Sequence, residues 1–179
     1  MVYLFLANGF EEIEALCPLD LLRRAGVEVT TVGIGGEHVC GSHGITVEAD
    51  IPEGLFADAS PDMIILPGGM PGSRHLDESR TVDVALKAAA RRGAYIAAIC
   101  AAPMVLGRRG LLEGKRAICF PGFEKELKGA TIASERVVRD GNIITAAGMG
   151  VALDFGLVLV AALKDEETAK ALRAAVLAD

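Results

Sequence analysis

The chain has 179 residues, a formal net charge of −6 and a composition that is 51% hydrophobic. The acidic balance disfavours a nucleic-acid surface, which needs clustered basic residues, and the longest apolar runs are shorter than the roughly 18 residues of a membrane span. The amino terminus lacks the basic region and the cleavage site of a signal peptide. We therefore expect a cytoplasmic protein without nucleic-acid or membrane partners, built as one domain over residues 1–179.

Apolar strands and helices alternate along the chain. Strands are predicted at 2–7, 27–34, 62–69, 94–100 and 116–120, and helices at 11–25, 78–92, 101–109, 149–163 and 165–177. A small antiparallel excursion over 38–48 and a hairpin over 135–147, which turns at Asp140-Gly141, complete the pattern. Apolar strands that alternate with helices predict an α/β fold, in which a doubly wound, mostly parallel sheet is sandwiched by helices.

Neither a zinc site nor a disulfide framework is predicted. The four cysteines, at positions 17, 40, 100 and 119, form no CxxC pair, and the three histidines, at positions 38, 43 and 75, form no HExxH motif. Free thiols are the simplest interpretation in a reducing compartment. The sequence assigns no role to the histidines and predicts no metal.

Three segments follow predicted strands at the edge where such folds bind ligands. They are "ANGFEEIEA" at 7–15, "LPGGMPG" at 66–72 and "ICAAP" at 99–103. The second segment is not a GxGxxG motif, so a dinucleotide site is not expected. This segment either forms only a turn, for which glycine and proline are the usual residues, or supplies exposed backbone N–H groups for an oxyanion hole.

Glu14 stands out from the acidic run at 11–14. Glu11 and Glu12 suit the start of a helix, where negative charge is favourable. Pro18 cannot donate a hydrogen bond to the carbonyl group of Glu14, which predicts a distortion of the helix beside the strand ends.

Cys100 lies where a predicted strand changes directly into a helix. A small buried hydrophobe is the ordinary role of a free cysteine, and it suits the other three cysteines. The small flanking residues Ala98 and Ala102 instead favour a sharp strand-to-helix nucleophile elbow. The first amides of the following helix would lower the pKa of the thiol, provided that Glu14 stays protonated.

Taken together and at these intervals, "GFEEIEA", "LPGG" and "AAICAAP" resemble the ThiJ/PfpI superfamily, and within it the DJ-one (DJ-1) branch of parkinsonism-associated protein deglycases and their bacterial relatives. The resemblance extends over the whole chain, including "RRAGVEVT" at 23–30 and "SERVVRDGNIITA" at 134–146. It implies a flavodoxin-like, class I glutamine amidotransferase-like fold. It also implies a homodimer with the first helix near the interface.

The resemblance also implies a site. It makes Cys100 the nucleophilic, oxidation-prone cysteine and Glu14 its protonated, hydrogen-bonded partner. Gly69 and Ala101, with Gly68 alongside, match the residues whose backbone amides line the oxyanion site. Arg24 matches an arginine that reaches the pocket from a partner subunit.

One departure concerns the segment "ICFPGF", where Phe120 occupies the position at which relatives often have a histidine. Protease and glutaminase activities, which depend on a suitably placed histidine, are therefore not expected. The implied activity is the cofactor-independent removal of reactive aldehydes or of glycated adducts, through a hemithioacetal on Cys100. The alternative is an oxidative-stress sensor or redox-regulated chaperone, in which Cys100 is oxidised to the sulfinate.

Overall fold

The structure is a computed structural model that describes residues 1–57 and 60–178. Its strands are β1 (Val2–Ala7), β2 (Val29–Ile34), β3 (His38–Cys40), β4 (Thr46–Glu48), β5 (Ile51–Pro52), β6 (Met63–Leu66), β7 (Tyr95–Ile99), β8 (Arg116–Ala117), β9 (Thr131–Ile132), β10 (Val137–Asp140) and β11 (Ile143–Ala146). Its α-helices are α1 (Glu12–Arg24), α2 (Gly72–Glu78), α3 (Arg80–Arg92), α4 (Pro103–Arg108), α5 (Ala152–Leu163) and α6 (Glu166–Ala175).

Within the described residues, seven strands form a central sheet in the order β10-β11-β7-β6-β1-β2-β5. All neighbours in this sheet are parallel except the β10–β11 hairpin. One face packs against α1, α5 and α6, and the other packs against α2, α3 and α4. The strands read as continuous apolar runs because both of their faces are covered. The predicted fold class is confirmed.

The strand order places three connections side by side. The chain passes from β1 to β2 on one side of the sheet and then crosses to β6 and β7 on the other. The carboxyl ends of β1, β6 and β7 therefore meet at the point where the winding direction reverses, which is where ligands bind in open α/β sheets. The segments that start at residues 8, 67 and 100 leave the sheet at this point.

Two predicted elements differ from the structure. The helix predicted at 78–92 is α3, which begins at Arg80 because Ser79 is extended and its side chain caps α3 by accepting the amide of Val82 at 3.3 Å. The sequence does not predict the separate helix α2 before it. Helix α2 begins directly after Pro71, in a glycine- and proline-rich segment that is typical of a turn. The strand predicted at 116–120 is only β8, which pairs with β9 outside the main sheet.

Helix α1 continues through its internal proline, so the predicted distortion does not end it. Pro18 packs against α5 at Gly156, where an added Cβ would lie 3.0 Å from the Cα atom of Pro18 and 2.6 Å from a methyl carbon of Leu21. The glycine thus allows the two helices to approach closely. No helix in the described part of the chain is long and apolar enough to cross a membrane.

Candidate active site

Cys100 lies at a strained turn between β7 and the start of α4. Its φ angle is +64°, a left-handed conformation that is uncommon for a residue with a side chain. Its N–H group donates to the carbonyl oxygen of Ala146 at 2.9 Å, and its own carbonyl oxygen accepts the amide of Phe120 at 2.8 Å. These bonds hold the backbone in place, and such strain is typical of functional positions.

Two backbone amides contact the sulfur atom. The N–H groups of Gly69 and Ala101 donate hydrogen bonds to Cys100. Gly68 has no room for a side chain, because an added Cβ would lie 2.3 Å from Oε2 of Glu14 and 2.5 Å from Cβ of Cys100. Gly69 has a φ of +88°, and its added Cβ would lie 2.4 Å from the amide nitrogen of Glu11. The two glycines therefore allow the backbone to reach the sulfur and the carboxyl group together.

Glu14 is in the first turn of α1 and is 1% exposed. Its Oε2 accepts the amide of Gly68 at 3.0 Å, the amide of Met149 also donates to the carboxyl group, and the side chain hydrogen-bonds with Cys100. Glu11 fixes this turn, since its carboxylate accepts the amide of Glu14 at 2.7 Å and its own amide donates to the Gly68 carbonyl oxygen at 2.9 Å. The fold thus brings Glu14 and Cys100 into contact.

Both members of this pair have raised pKa values. Burial raises the pKa of Glu14 to about 7, against the opposing hydrogen bond with Cys100. Burial and the nearby carboxylate raise the pKa of the Cys100 thiol to about 12, although the amides of Gly69 and Ala101 lower it. The low thiol pKa predicted from the sequence is therefore wrong: the amides do contact the sulfur, but burial and like charge outweigh them.

The two values describe one coupled site. Between about pH 7 and pH 12 the pair carries one negative charge and one proton. A thiolate becomes accessible at neutral pH when that proton lies on Glu14, since a neutral carboxyl group removes the repulsion and can donate its O–H to sulfur. The geometry thus allows a thiolate beside a carboxylic acid without requiring both groups to ionise.

Glu12, which the sequence suggests only as a helix-start residue, is buried and holds the β3–β4 turn against α1. It accepts the amide of His43 at 2.7 Å and faces the imidazole Nδ1 at 3.0 Å, and the Ser42 hydroxyl donates to it at 3.3 Å. Burial alone would raise the pKa of Glu12, but the bonds from His43 lower it to about 2. The pairing with Glu12 raises the pKa of His43. Sequence spacing gives no signal for this contact.

A metal-binding geometry exists in the same place. Ligand atoms of Glu11, Glu12 and His43 lie within 4.8 Å of one another. The Glu12 oxygens already accept hydrogen bonds from the β3–β4 turn, and Glu11 already caps α1. We therefore assign these groups a structural role.

The remaining candidates lie elsewhere. Arg24 is at the last turn of α1, where its Nε donates to Asp20 at 2.6 Å. Ten residues of helix separate it from Glu14, which corresponds to about 15 Å. The fold of one chain does not bring Arg24 to Cys100, so a role in the pocket would require a second subunit. Among the other cysteines, Cys17 is half-buried, Cys40 is exposed and Cys119 is buried.

The chain belongs to the DJ-1/PfpI family, whose family model matches residues 1–162. Protein dj-1beta of Drosophila melanogaster is 38% identical over 174 residues, which cover 93% of each chain. The structure of oxidized DJ-1 from Toxoplasma gondii matches with a TM-score of 0.92 at 36% identity, covering 98% of this chain and 97% of that one. A deglycase of Pyrococcus abyssi is 30% identical over 150 residues, or 81% of this chain and 88% of the relative. The family predicted from the sequence motifs is confirmed.

Proposed function

We propose that the protein removes reactive carbonyl compounds, as a glyoxalase that needs no cofactor or as a deglycase, with Cys100 as nucleophile and Glu14 as acid and base. The observation that carries this proposal is the hydrogen-bonded pair of Cys100 and buried Glu14, with the amides of Gly69 and Ala101 directed at the sulfur. The relative named a deglycase supports the substrate class.

The proposed reaction converts a 2-oxoaldehyde and water into a 2-hydroxy acid and needs neither an oxidant nor a metal. The sulfur of Cys100 adds to the aldehyde carbon of a 2-oxoaldehyde, and the carbonyl oxygen takes up the proton of the pair to give a hemithioacetal. Glu14, then ionised, removes the hydrogen from the former aldehyde carbon and returns a proton to the neighbouring carbon, through an enediol. This internal redox step leaves a thioester, which water cleaves to a 2-hydroxy acid and the free thiol.

The pKa of Glu14 suits both directions of proton transfer. A group that must accept and then donate a proton works best when its pKa lies near the working pH. Burial brings the pKa of Glu14 to about 7. The same adduct chemistry applied to glycated amines or thiols gives deglycation.

The setting of this activity is also part of the proposal. We infer a cytoplasmic, single-domain protein over residues 1–179 that acts as a homodimer on small aldehydes or glycated adducts, with no nucleic-acid or membrane partner. The dimer is supported by Ile13, which is 50% exposed, and by the half-buried Leu16 and Cys17 on the same helix α1. In this arrangement Arg24 would approach the partner's pocket.

A second candidate function is an oxidative-stress sensor. The amides of Gly69 and Ala101, with a protonated Glu14, form a set of donors that suits the oxygens of a cysteine sulfinate. The Toxoplasma gondii relative is described as oxidized. In this role, stoichiometric oxidation of Cys100 by peroxide would replace turnover.

One experiment separates the two functions. Glyoxal, methylglyoxal and glycated thiols are incubated with the wild type and with Cys100→Ser, in buffers free of amines and thiols, and hydroxy acid formation is measured. Turnover that is lost in Cys100→Ser and insensitive to chelators supports the enzyme. Turnover retained in Cys100→Ser contradicts the mechanism. Absent turnover together with rapid oxidation of Cys100 by peroxide favours the sensor.

A further inference from the structure

Three residues with exposed, large apolar side chains are joined through their backbone to the reacting pair or lie next in sequence to a residue that contacts it. Phe120 is 49% exposed, Met70 is 40% exposed and Met149 is 53% exposed. The amide of Phe120 donates to the Cys100 carbonyl oxygen at 2.8 Å, the amide of Met149 donates to Glu14, and Met70 follows the glycine whose amide contacts the sulfur. Exposed apolar residues beside a small polar site are typical of a binding surface.

Of these three side chains, that of Phe120 lies near the carboxyl group of Glu14. The residue between its ring and the reactive acid is Gly148, where an added Cβ would lie 3.3 Å from Cδ2 of Phe120 and 3.8 Å from Oε1 of Glu14. Only Gly148 therefore separates the Phe120 ring from the Glu14 carboxyl group. A phenyl ring supplies no proton at this place, but it supplies apolar area next to the reacting carbon.

We propose that Phe120, with Met70 and Met149, binds the non-reacting substituent of the carbonyl substrate and selects apolar substituents, above all aromatic ones. The inference rests on the proposed function and specifies its substrate class: 2-oxoaldehydes with an apolar side group, in preference to glyoxal and to polyhydroxylated sugar adducts. A phenyl or alkyl group placed against Phe120 leaves water, whereas sugar hydroxyls placed there lose hydrogen bonds to water without replacement.

The size of the effect follows from hydrophobic discrimination in other pockets. One methylene group in an apolar pocket changes the specificity constant by about 10- to 200-fold. Because the Phe120 ring is half-exposed, each substrate carbon that it contacts should change the specificity constant by the lower end of this range or less. A phenyl substituent has several such carbons, so their effects add. We expect the ratio of kcat/KM for phenylglyoxal to that for glyoxal to fall about tenfold in Phe120→Ala.

The kinetic test compares initial rates for glyoxal, methylglyoxal and phenylglyoxal in the wild type, Phe120→Ala and Val84→Ala. Val84 is 50% exposed on helix α3, so it controls for the loss of an equally exposed apolar side chain. The expected result is a loss of the preference for phenylglyoxal in Phe120→Ala and an unchanged ratio in Val84→Ala. An unchanged ratio in Phe120→Ala, or a wild type that prefers glyoxal, overturns the inference while the proposed function stands.

A second test does not depend on turnover. The second-order rates at which N-benzyliodoacetamide and iodoacetamide alkylate Cys100 are measured by peptide mass spectrometry in the same variants. Faster alkylation by the benzyl reagent in the wild type, with the advantage lost in Phe120→Ala, supports the apolar surface even if no aldehyde is turned over. Equal ratios in all variants, or a Phe120→Ala variant that instead weakens self-association, overturn it.

Discussion

The carboxyl group of Glu14 and the thiol of Cys100 share a hydrogen bond, although 86 positions separate them in the chain. Because burial raises the pKa of both groups, they ionise as a pair that keeps one proton over a wide pH range. The proton can lie on sulfur or on oxygen, so the reactivity of the thiol depends on the chemical nature of residue 14.

Substitutions at Glu14 should separate catalysis from oxidation. Glu14→Gln keeps a hydrogen-bond donor but removes the acid, so we expect turnover to fall by about 10²- to 10⁴-fold, the usual contribution of general acid–base catalysis. Oxidation of Cys100 to the sulfinate should largely survive in this variant. Glu14→Leu should lose both properties. Aldehyde kinetics and mass spectrometry after peroxide treatment check this, and full turnover in Glu14→Gln would contradict the role of the acid.

The folded state should lose stability as the pH rises through about 7. Burial raises the pKa of Glu14 from 4.5 to about 7, so the folded protein binds this proton more tightly than the unfolded chain does. The stabilisation is complete below pH 4.5 and is lost as the pH passes the folded-state value; it amounts to about 3 kcal/mol at most. Urea unfolding from pH 4.5 to 8 measures it, and Glu14→Gln should lack this component. If the free energy of unfolding depends on pH in the same way in the wild type and in Glu14→Gln, the raised pKa of Glu14 is contradicted.

Cys100 should oxidise before the other cysteines. Exposure alone would make Cys40, which is on the surface, the first cysteine to oxidise. Burial raises the pKa of Cys17 and raises that of Cys119 to about 11, which makes both thiols less reactive. Only transfer of the proton from sulfur to Glu14 would make Cys100 the most reactive thiol near neutral pH. Peptide mass spectrometry across a peroxide titration ranks the four sites. If Cys40 reacts first, the thiol of Cys100 stays protonated and the pair does not work as proposed.

Replacing Gly68 by alanine should damage the site directly. The added methyl group would lie 2.3 Å from the Glu14 carboxyl oxygen and 2.5 Å from Cβ of Cys100. We expect lost turnover and a free energy of unfolding lowered by about 1–3 kcal/mol, the usual cost of overpacking. Gly54→Ala is the matched control, because an added Cβ there meets nothing within 4 Å. Denaturant unfolding and aldehyde kinetics are the measurements, and equal behaviour of the two variants would refute the packing argument.

The protein should sediment at twice its chain mass of 18.7 kDa. Ile13→Gln should weaken self-association because it places a polar group on the exposed face of α1, whereas Val84→Gln changes an equally exposed side chain on α3 and should have no effect. Sedimentation equilibrium at micromolar concentrations checks both. A monomeric wild type would remove the dimer and the role proposed for Arg24.

Local patterns predict the fold and the position of Cys100 well. The strands are buried on both faces, so their apolar runs are unmistakable, and the strand end at Ile99 locates Cys100. Helix α2 is not predicted, and the strand predicted at 116–120 is longer than β8. These boundaries depend on single contacts, such as the Ser79 cap between α2 and α3 and the bond from Ile118 to the Thr145 hydroxyl at 3.0 Å. The thiol pKa was misjudged because burial and charge at Cys100 come from segments that the local sequence does not contain.

The elbow backbone is completed late in the chain, because the amide of Cys100 is held by the carbonyl oxygen of Ala146. During synthesis, a nascent chain that has passed residue 100 but not residue 146 lacks this support, and without β6 docked beside β7 it also lacks the amide of Gly69 next to the sulfur. In that interval Cys100 is an ordinary thiol. The strained turn at Cys100, its contact with Glu14 and the raised pKa that burial gives its thiol therefore appear together, and only when the sheet closes.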